Sequence, residues 1–390
     1  MNEPSVFNGP EVTMHKDAKH GEWEHRDVHN VYGLNVHVAT VEGLVARNPN
    51  KNVRPFVLSR AFFAGTQRIG AIWTGDNNAN WDHLAASSPM LLSIGVAGLT
   101  FSGADVGGFF GNPDVELLTR WYQAGAFQPF FRAHAHHDSK RREPFLFDEP
   151  HRSVMRDAIL QRYALLPYWY TLFHNSSLTG FPTMRPMWAE FPQDPNTFPL
   201  QDQFMVGPAI LVKPVTKPGT SSLEVYLPPS DVFYDYSSFA KSKSGKVFVN
   251  TPLDKIPAFY RGGHVVVRKE RVRRSSTQMK GDPFTLVIAL DSNNQARGEI
   301  YVDDYVSFDY KNGVFLHREI LFKDNQLTSR LISGNYKPSE LVERLIVLGL
   351  PKQPSKITFD GRTLESEWHN GVLTVRKPLL KIAEDFTIKF

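Results

Sequence analysis

Residues 69–108 read IGAIWTGDNNANWDHLAASSPMLLSIGVAGLTFSGADVGG, and the fold turns on this stretch. An apolar run from Ile69 to Thr74 stops at Gly75-Asp76-Asn77. A helical stretch follows near His83–Ile94, and a second apolar run, Gly98 to Phe101, stops at Gly103-Ala104-Asp105. Strand, helix and strand in about 40 residues predict a parallel pair with a helical crossover.

The same rhythm extends on both sides. Upstream, Val28, Val31, Leu34, Val38, Val41 and Val45 recur at spacings of three and four, which predicts a helix from Asp27 to about Arg47. A strand, Phe56-Val57-Leu58-Ser59-Arg60, comes next. Downstream, a helix is expected over Val115–Gln123 and a fourth strand from Gln128 to Arg132, ending at His134. A long helix over Arg152–His174 should kink at Pro167. Each strand finishes in a polar residue: Arg60, Asp76, Asp105, His134. In a (β/α)₈ barrel the strand C-termini carry the active site. A doubly wound sheet would place ligands there too, but no glycine-rich phosphate loop follows any strand.

From about Thr183 helical periodicity fades. Short β-rich runs bounded by Pro and Gly take over, among them residues 209–212, 224–227, 264–267, 285–288, 345–348 and 373–375. The expected architecture is α/β plus all-β: the C-terminal half of a (β/α)₈ TIM barrel (1–182), then two antiparallel β-sandwich domains (183–274 and 275–390).

Composition sets outer limits. The 390 residues exceed one ordinary domain of roughly 100–200 residues. Hydrophobic residues make up 41% and charged residues 22%, as in globular proteins, and no window nears the ~18 apolar residues of a membrane span. Net charge is +4, close to balance. One basic cluster, Arg268, Lys269, Arg271, Arg273, Arg274 and Lys280, lacks the interleaved aromatics that stack bases and reads as a solvated connection. No nucleic-acid or membrane partner is expected. Cysteine is absent, which excludes disulfides and thiolate metal sites.

Among the strand-end residues, Asp76 lies beside Trp73. A partly desolvated carboxyl there suits a general acid, held protonated until it meets a leaving oxygen; it could equally cap the following helix. Arg60 can hold hydroxyls through its planar fork and Asp105 can accept two sugar hydroxyls, or the two can pair with each other. His134 and His136 would share a strand face, but without a carboxylate at a ligand spacing no metal is expected. Phe109, Phe110, Trp121, Tyr122, Phe127, Phe130 and Phe131 form an aromatic zone, mostly core, with one or two able to stack on a sugar ring. Asp303 and Asp304, as strand neighbours, should face opposite ways. Glu3, before a proline, has no legible role by itself.

The strings MNEPSVFNGPE, GEWEHRDVHNVYG, RPFVLSRAFFAGTQR, AIWTGDNNANWDHL, FSGADVGGFFGNP and LLTRWYQAGAFQPFFRAHAHHDSKRREPF resemble glycoside hydrolase family 31 α-glucosidases, in the family's order and spacing. The likeness is nearest to the endoplasmic-reticulum glucosidase II and neutral α-glucosidase branch, and weaker matches continue to the end of the chain. It implies a retaining exo-α-glucosidase in which two carboxylates flank the scissile bond about 5–5.5 Å apart. Residue by residue, Asp76 takes the acid/base role. Arg60, Asp105 and His134 resemble ligands of the terminal glucose, and Trp73, Phe109 and Met1 resemble the apolar walls of its pocket. The family's nucleophile is the Asp immediately before MNE. The sequence begins at that Met, so the expectation is a fragment, inactive alone, of a longer enzyme. The alternative is a noncatalytic carbohydrate-binding protein. The resemblance further implies no cofactor, a glucosylated N-glycan substrate, a noncatalytic β subunit as partner and an endoplasmic-reticulum lumenal location. The sequon Asn175-Ser176-Ser177 suits a secretory protein.

Overall fold

A computed structural model describes residues 1–9 and 11–390. A short hairpin, β1 (Lys19–His20) and β2 (Trp23–Glu24), leads into helix α1 (His25–Arg47). The backbone N–H of Glu24 donates to the Asp27 carboxylate at 3.1 Å, satisfying one end group of the helix. Strands β3 (Leu58–Ser59), β4 (Ala71–Trp73) and β5 (Ser102–Gly103) form a parallel sheet, with α2 (Trp81–Val96) as crossover between β4 and β5. Next come β6 (Asp105–Val106), α3 (Val115–Gly125) and β7 (Arg132–Ala133), with β6 and β7 also parallel. Partial (β/α)₈ geometry is therefore present.

The hydrogen-bonded strands are shorter than the apolar runs that predict them. At Gly103 a neighbouring segment passes so close that a Cβ would lie 2.0 Å from the Phe130 carbonyl oxygen. The single kinked helix resolves into two, α4 (His151–Ala164) and α5 (Leu166–Thr179), meeting at Leu165. Pro167 sits in the first turn of α5, where its missing N–H costs nothing, so it starts a helix rather than kinking one.

The β-rich remainder opens with β8 (Met184–Pro186), helix α6 (Met187–Glu190), β9 (Phe204–Val206), β10 (Ile210–Val212), β11 (Ser222–Leu227), β12 (Phe233–Asp235), β13 (Gly245–Asn250) and β14 (Ala258–Arg261). A five-stranded antiparallel sheet runs β12-β14-β10-β9-β8, and β11 pairs separately with β13. Then follow β15 (Gly263–Arg268), β16 (Phe284–Ala289), β17 (Ala296–Val302), β18 (Leu316–Lys323), β19 (Gln326–Ser333), β20 (Leu341–Leu348), β21 (Thr358–Phe359), β22 (Arg362–Thr363), β23 (Ser366–His369), β24 (Val372–Lys381) and β25 (Phe386–Lys389). They make one eleven-stranded sheet ordered β22-β21-β25-β19-β18-β17-β15-β16-β20-β24-β23. It is antiparallel except at β15–β17 and β16–β20, which pair in parallel.

One core unites the α/β part with the β part: Leu84, Trp121 and Trp169 belong to the same buried cluster as Phe204, Ile210, Tyr260 and Val287. A second core lies within the eleven-stranded sheet, around Phe284, Ile300, Phe322 and Leu373. Two arginines, one buried and one half-buried, tie the parts together. Arg120 on α3 donates to the carbonyls of Thr251, Pro252, Leu253 and Lys255. Arg54 reaches Asp303 at 3.2 Å and Asp304 at 3.3 Å. The two carboxylates thus converge on one guanidinium, contrary to the alternation expected of strand neighbours, because both lie beyond the end of β17.

Two surface expectations are also corrected. In the basic cluster, Arg268 and Lys269 are buried rather than solvated. Arg268 donates to Glu270, Tyr236 and Tyr260, and Lys269 to the carbonyls of Met279 and Lys280. Arg271 and Arg273 pair with Glu343 and Asp282. Asn175 of the sequon lies inside α5, its amide donating to Glu299 at 3.2 Å, so the folded chain does not present it on a loop. Among the described residues no helix is long and apolar enough to cross a membrane.

Candidate active site

The strand exits meet on one side of the parallel sheets. β3 delivers Arg60 one residue past its end, and β4 delivers Asp76 three residues past its end. Gly75 between them adopts φ +94°, a turn favouring a residue without Cβ, and swings Asp76 toward Arg60. The Arg60 Nη1 donates to Asp76 Oδ2 at 2.7 Å, and its Nε donates to Glu3 Oε1 at 2.6 Å. The hydrogen bond to Glu3 holds the Arg60 guanidinium firmly charged. For Glu3, burial pushes the carboxyl up, but the hydrogen bond and charge of Arg60 together with backbone and amino-group hydrogen bonds outweigh it, and the group ends below the usual carboxylate range. Glu3 was illegible in the sequence because its partner lies 57 residues away.

Two alternatives fall away. Asp76 does not cap α2: that role belongs to Asn80, whose side chain accepts from the His83 N–H at 2.8 Å. Nor do Arg60 and Asp105 pair. Arg60 holds Asp76 and Glu3, while Asp105 is held by Arg132, whose Nη2 lies 2.5 Å from Asp105 Oδ1. The neighbour bonded to Asp76 is thus a cation rather than the apolar wall expected from Trp73.

Asp105 is the most deeply buried acid of the group, at 1% exposure. Burial pushes its carboxyl above the ordinary range, with Arg132 pulling the other way. Its second oxygen, Oδ2, is buried and has no hydrogen-bond partner. Such a group is costly unless something bonds to it. Arg132 also lies over the Trp73 ring, 5.0 Å from its centroid, so the buried Trp73 supports the arginine. Its position was readable in the sequence: residues 132 and 134 fall on one side of a period-2 strand.

His134 stacks on Phe109 with ring centroids 5.3 Å apart. Asn77 fixes Phe109, accepting its backbone N–H at 2.9 Å while donating to the Asp105 carbonyl at 3.1 Å. Arg142 clamps the same loop by donating to the carbonyls of Gly107, Gly108 and His134. In the sequence Arg142 reads as one member of an ordinary surface basic run, with no signal for this role. His136, expected on the same face as His134, packs edge-on against the same Phe109 ring at 5.5 Å and lies beside His137 and Asp138. These three place ligand atoms within 4.8 Å of one another on an exposed loop. Met1 is exposed, with its amino group 3.1 Å from Glu3. Of the aromatic zone, Trp121, Tyr122 and Phe127 are core and Phe110 is exposed.

The cluster therefore offers a partly exposed carboxylate on an arginine, a buried carboxylate with one open oxygen, and an imidazole against an aromatic wall. Such a set can bind vicinal hydroxyls and transfer a proton to an oxygen leaving group.

Comparison with known proteins agrees. The pattern described as "Glycosyl hydrolases family 31 TIM-barrel domain" matches residues 1–172, and "Glycosyl hydrolase family 31 C-terminal domain" matches residues 180–266. Neutral alpha-glucosidase AB of Dictyostelium discoideum is 55% identical over the whole chain, which spans 42% of that protein. A crystal structure of glucosidase II alpha subunit in a Tris-bound form superposes with a TM-score of 0.95 at 46% identity, covering all of this chain and 45% of that one. The catalytic subunit in an ER glucosidase II heterodimeric complex, with the binding domain of its regulatory subunit, superposes equally well at 47% identity. The chain spans less than half the length of these relatives, and by its barrel and C-terminal domains it belongs to glycoside hydrolase family 31.

Proposed function

We propose that the protein containing these residues is a retaining exo-α-glucosidase that removes terminal α-linked glucose, and that its substrate is a glucosylated N-linked glycan. The observation carrying this reading is the Arg60-held Asp76 carboxylate at a parallel-strand exit, beside a buried Asp105 whose Oδ2 lacks a partner. Asp76 is assigned the acid/base role: it gives a proton to the departing glycosidic oxygen, then takes one from the incoming water. Arg60, Asp105 and His134 bind the glucose hydroxyls. Phe109 walls the pocket, Trp73 backs it from beneath Arg132, and Met1 lies at its edge. The attacking carboxylate, in the family pattern, is the aspartate preceding the Met1-Asn2-Glu3-Pro4 run. No cofactor or metal enters this mechanism.

Partner and location follow from the same likeness. The matched glucosidase II structures include one with a regulatory-subunit binding domain, which supports a noncatalytic β subunit here and residence in the endoplasmic-reticulum lumen. The division into 1–182, 183–274 and 275–390 is likewise proposed as the domain plan, with β15 of the second segment joining the large sheet of the third. The test is stereochemical. Full-length protein acting on an α-1,3-linked glucosyl-mannoside, followed by proton NMR, should release α-glucose first. Initial β-glucose, or binding without release, would overturn the reading, the latter in favour of a noncatalytic carbohydrate-binding protein.

A further inference from the structure

A second polar cavity, remote in sequence from Asp76, opens in the β-domain that begins at β8. Its volume is about 550 Å³, within the range of small-ligand sites and large enough for a hexose unit. One wall is the turn Phe191–Asn196, the other Tyr226 with Pro229, Ser230 and Asp231, and Arg261 contributes from β14.

The walls are held in advance of any ligand. Asp194 accepts from the Tyr226 hydroxyl at 2.7 Å and from the Asn196 backbone and amide at 3.1 and 2.9 Å. The Gln203 amide bonds the Tyr226 backbone in both directions, at 2.6 and 3.0 Å. Arg261 is fixed by Asp231 and Glu190, each at 2.7 Å, and lies over the Phe191 ring at 4.3 Å. Ordering costs that usually oppose binding are thereby reduced.

Several hydrogen-bonding groups of the lining stay uncommitted. Among the described residues, no protein hydrogen bond involves the Gln193 or Ser230 side chain, the second oxygen of Asp231 or the Nη2 of Arg261. Glu190, Asp194 and Asp231 outnumber Arg261 and the Arg185 that backs Glu190, so the lining keeps a net negative charge, which disfavours phosphate, sulfate and carboxylate ligands. Amides, a hydroxyl and carboxylates beside a half-buried tyrosine and two prolines match a neutral polyol with an apolar ring face. We propose that this cavity is an auxiliary subsite for a neutral hexopyranose, distinct from the Asp76 site. This identification of the ligand as a saccharide unit of the bound glycan rests on the proposed function; the chemistry of the cavity does not.

The test uses full-length protein whose catalytic pocket is filled with a tight competitive iminosugar. Methyl α-D-mannopyranoside and methyl α-D-glucopyranoside are then titrated separately by saturation-transfer NMR. Saturable millimolar binding of one or both is expected; which one binds tells whether a mannose or a glucose unit is recognised. Asn196→Trp and Ser230→Trp, substitutions at exposed rim positions, should each weaken that binding at least 10-fold while leaving iminosugar affinity unchanged. Absence of saturable binding to the blocked protein, or binding unaltered in both variants, overturns the proposal. Iminosugar binding is measured in its own titration, so failure of the catalytic reading would show there and not in the hexoside signal.

Discussion

Arg132 sets the chemistry of the pocket from one residue behind Asp105, the carboxylate assigned to the glucose hydroxyls. Burial pushes the Asp105 carboxyl above its ordinary range, and Arg132 opposes that shift with bonds to Oδ1 at 3.2 and 2.5 Å. Arg132→Gln removes the charge-assisted part, about 1.5–3 kcal/mol, so kcat/KM should fall roughly 10–100-fold. The acid limb of the pH–rate profile should also move to higher pH, because Asp105 then holds its proton more tightly. An unmoved limb would show that Asp105 need not be ionised. At this scale the sequence was informative where a residue terminates an apolar run, as with Arg60, Asp76 and Asp105. It was silent where the partner is distant: nothing local in MNEP predicts that Glu3 meets Arg60, or that Arg142 closes over Gly107 and Gly108.

Among the elements, helices were more legible than strands. Amphipathic spacing located α1 well, because the 3.6-residue period repeats several times in it, and the expected Val115–Gln123 helix falls within two residues of α3. The parallel strands are two or three residues long, too short to show a period, and their apolar runs set between helices exposed them. The break at Leu165 was read as a kink because the α4 and α5 patterns abut. Arg162 on α4 shows what this junction does. It is buried and donates to the carbonyls of Ala126, Gln128 and Pro129, the segment leading into β7. Arg162→Met keeps the bulk but leaves three carbonyls without that donor. A loss of about 2–4 kcal/mol in unfolding free energy is expected, with a raised KM as Arg132 and His134 lose their support. Chemical denaturation and steady-state kinetics of one variant would check both.

Across the whole molecule, buried polar clips join the barrel portion to the large sheet. Asp303, only 2% exposed at its side chain, takes Arg54, and Oδ1 also accepts from the Tyr170 hydroxyl at 2.7 Å. Arg54→Met leaves that buried carboxylate with neutral donors only and no cation, and a destabilisation of about 3 kcal/mol is expected by differential scanning calorimetry, with Arg54→Lys partly retained. Nearby, His174 stacks on Tyr301 at 3.8 Å, with His317, Glu299 and Asp303 facing it. Burial lowers its pKa from 6.5 to about 4. Unfolded, the imidazole binds a proton first, so its contribution is complete above about pH 6.5 and is lost as pH falls toward about 4. Thermal stability should drop across that window, and His174→Phe should flatten the drop. None of these long-range pairings could be read from sequence, since each joins positions more than a hundred residues apart.

The assignment of Asp76 is tested most directly by leaving-group dependence in full-length protein. If Asp76 protonates the departing oxygen, Asp76→Asn should lower kcat on an α-1,3-linked disaccharide by roughly 10²–10⁴-fold. The glycosylation step on α-D-glucosyl fluoride, whose leaving group needs no proton, should be nearly spared. Unchanged turnover of the disaccharide, or an equal loss of the glycosylation step on both substrates, would contradict the account.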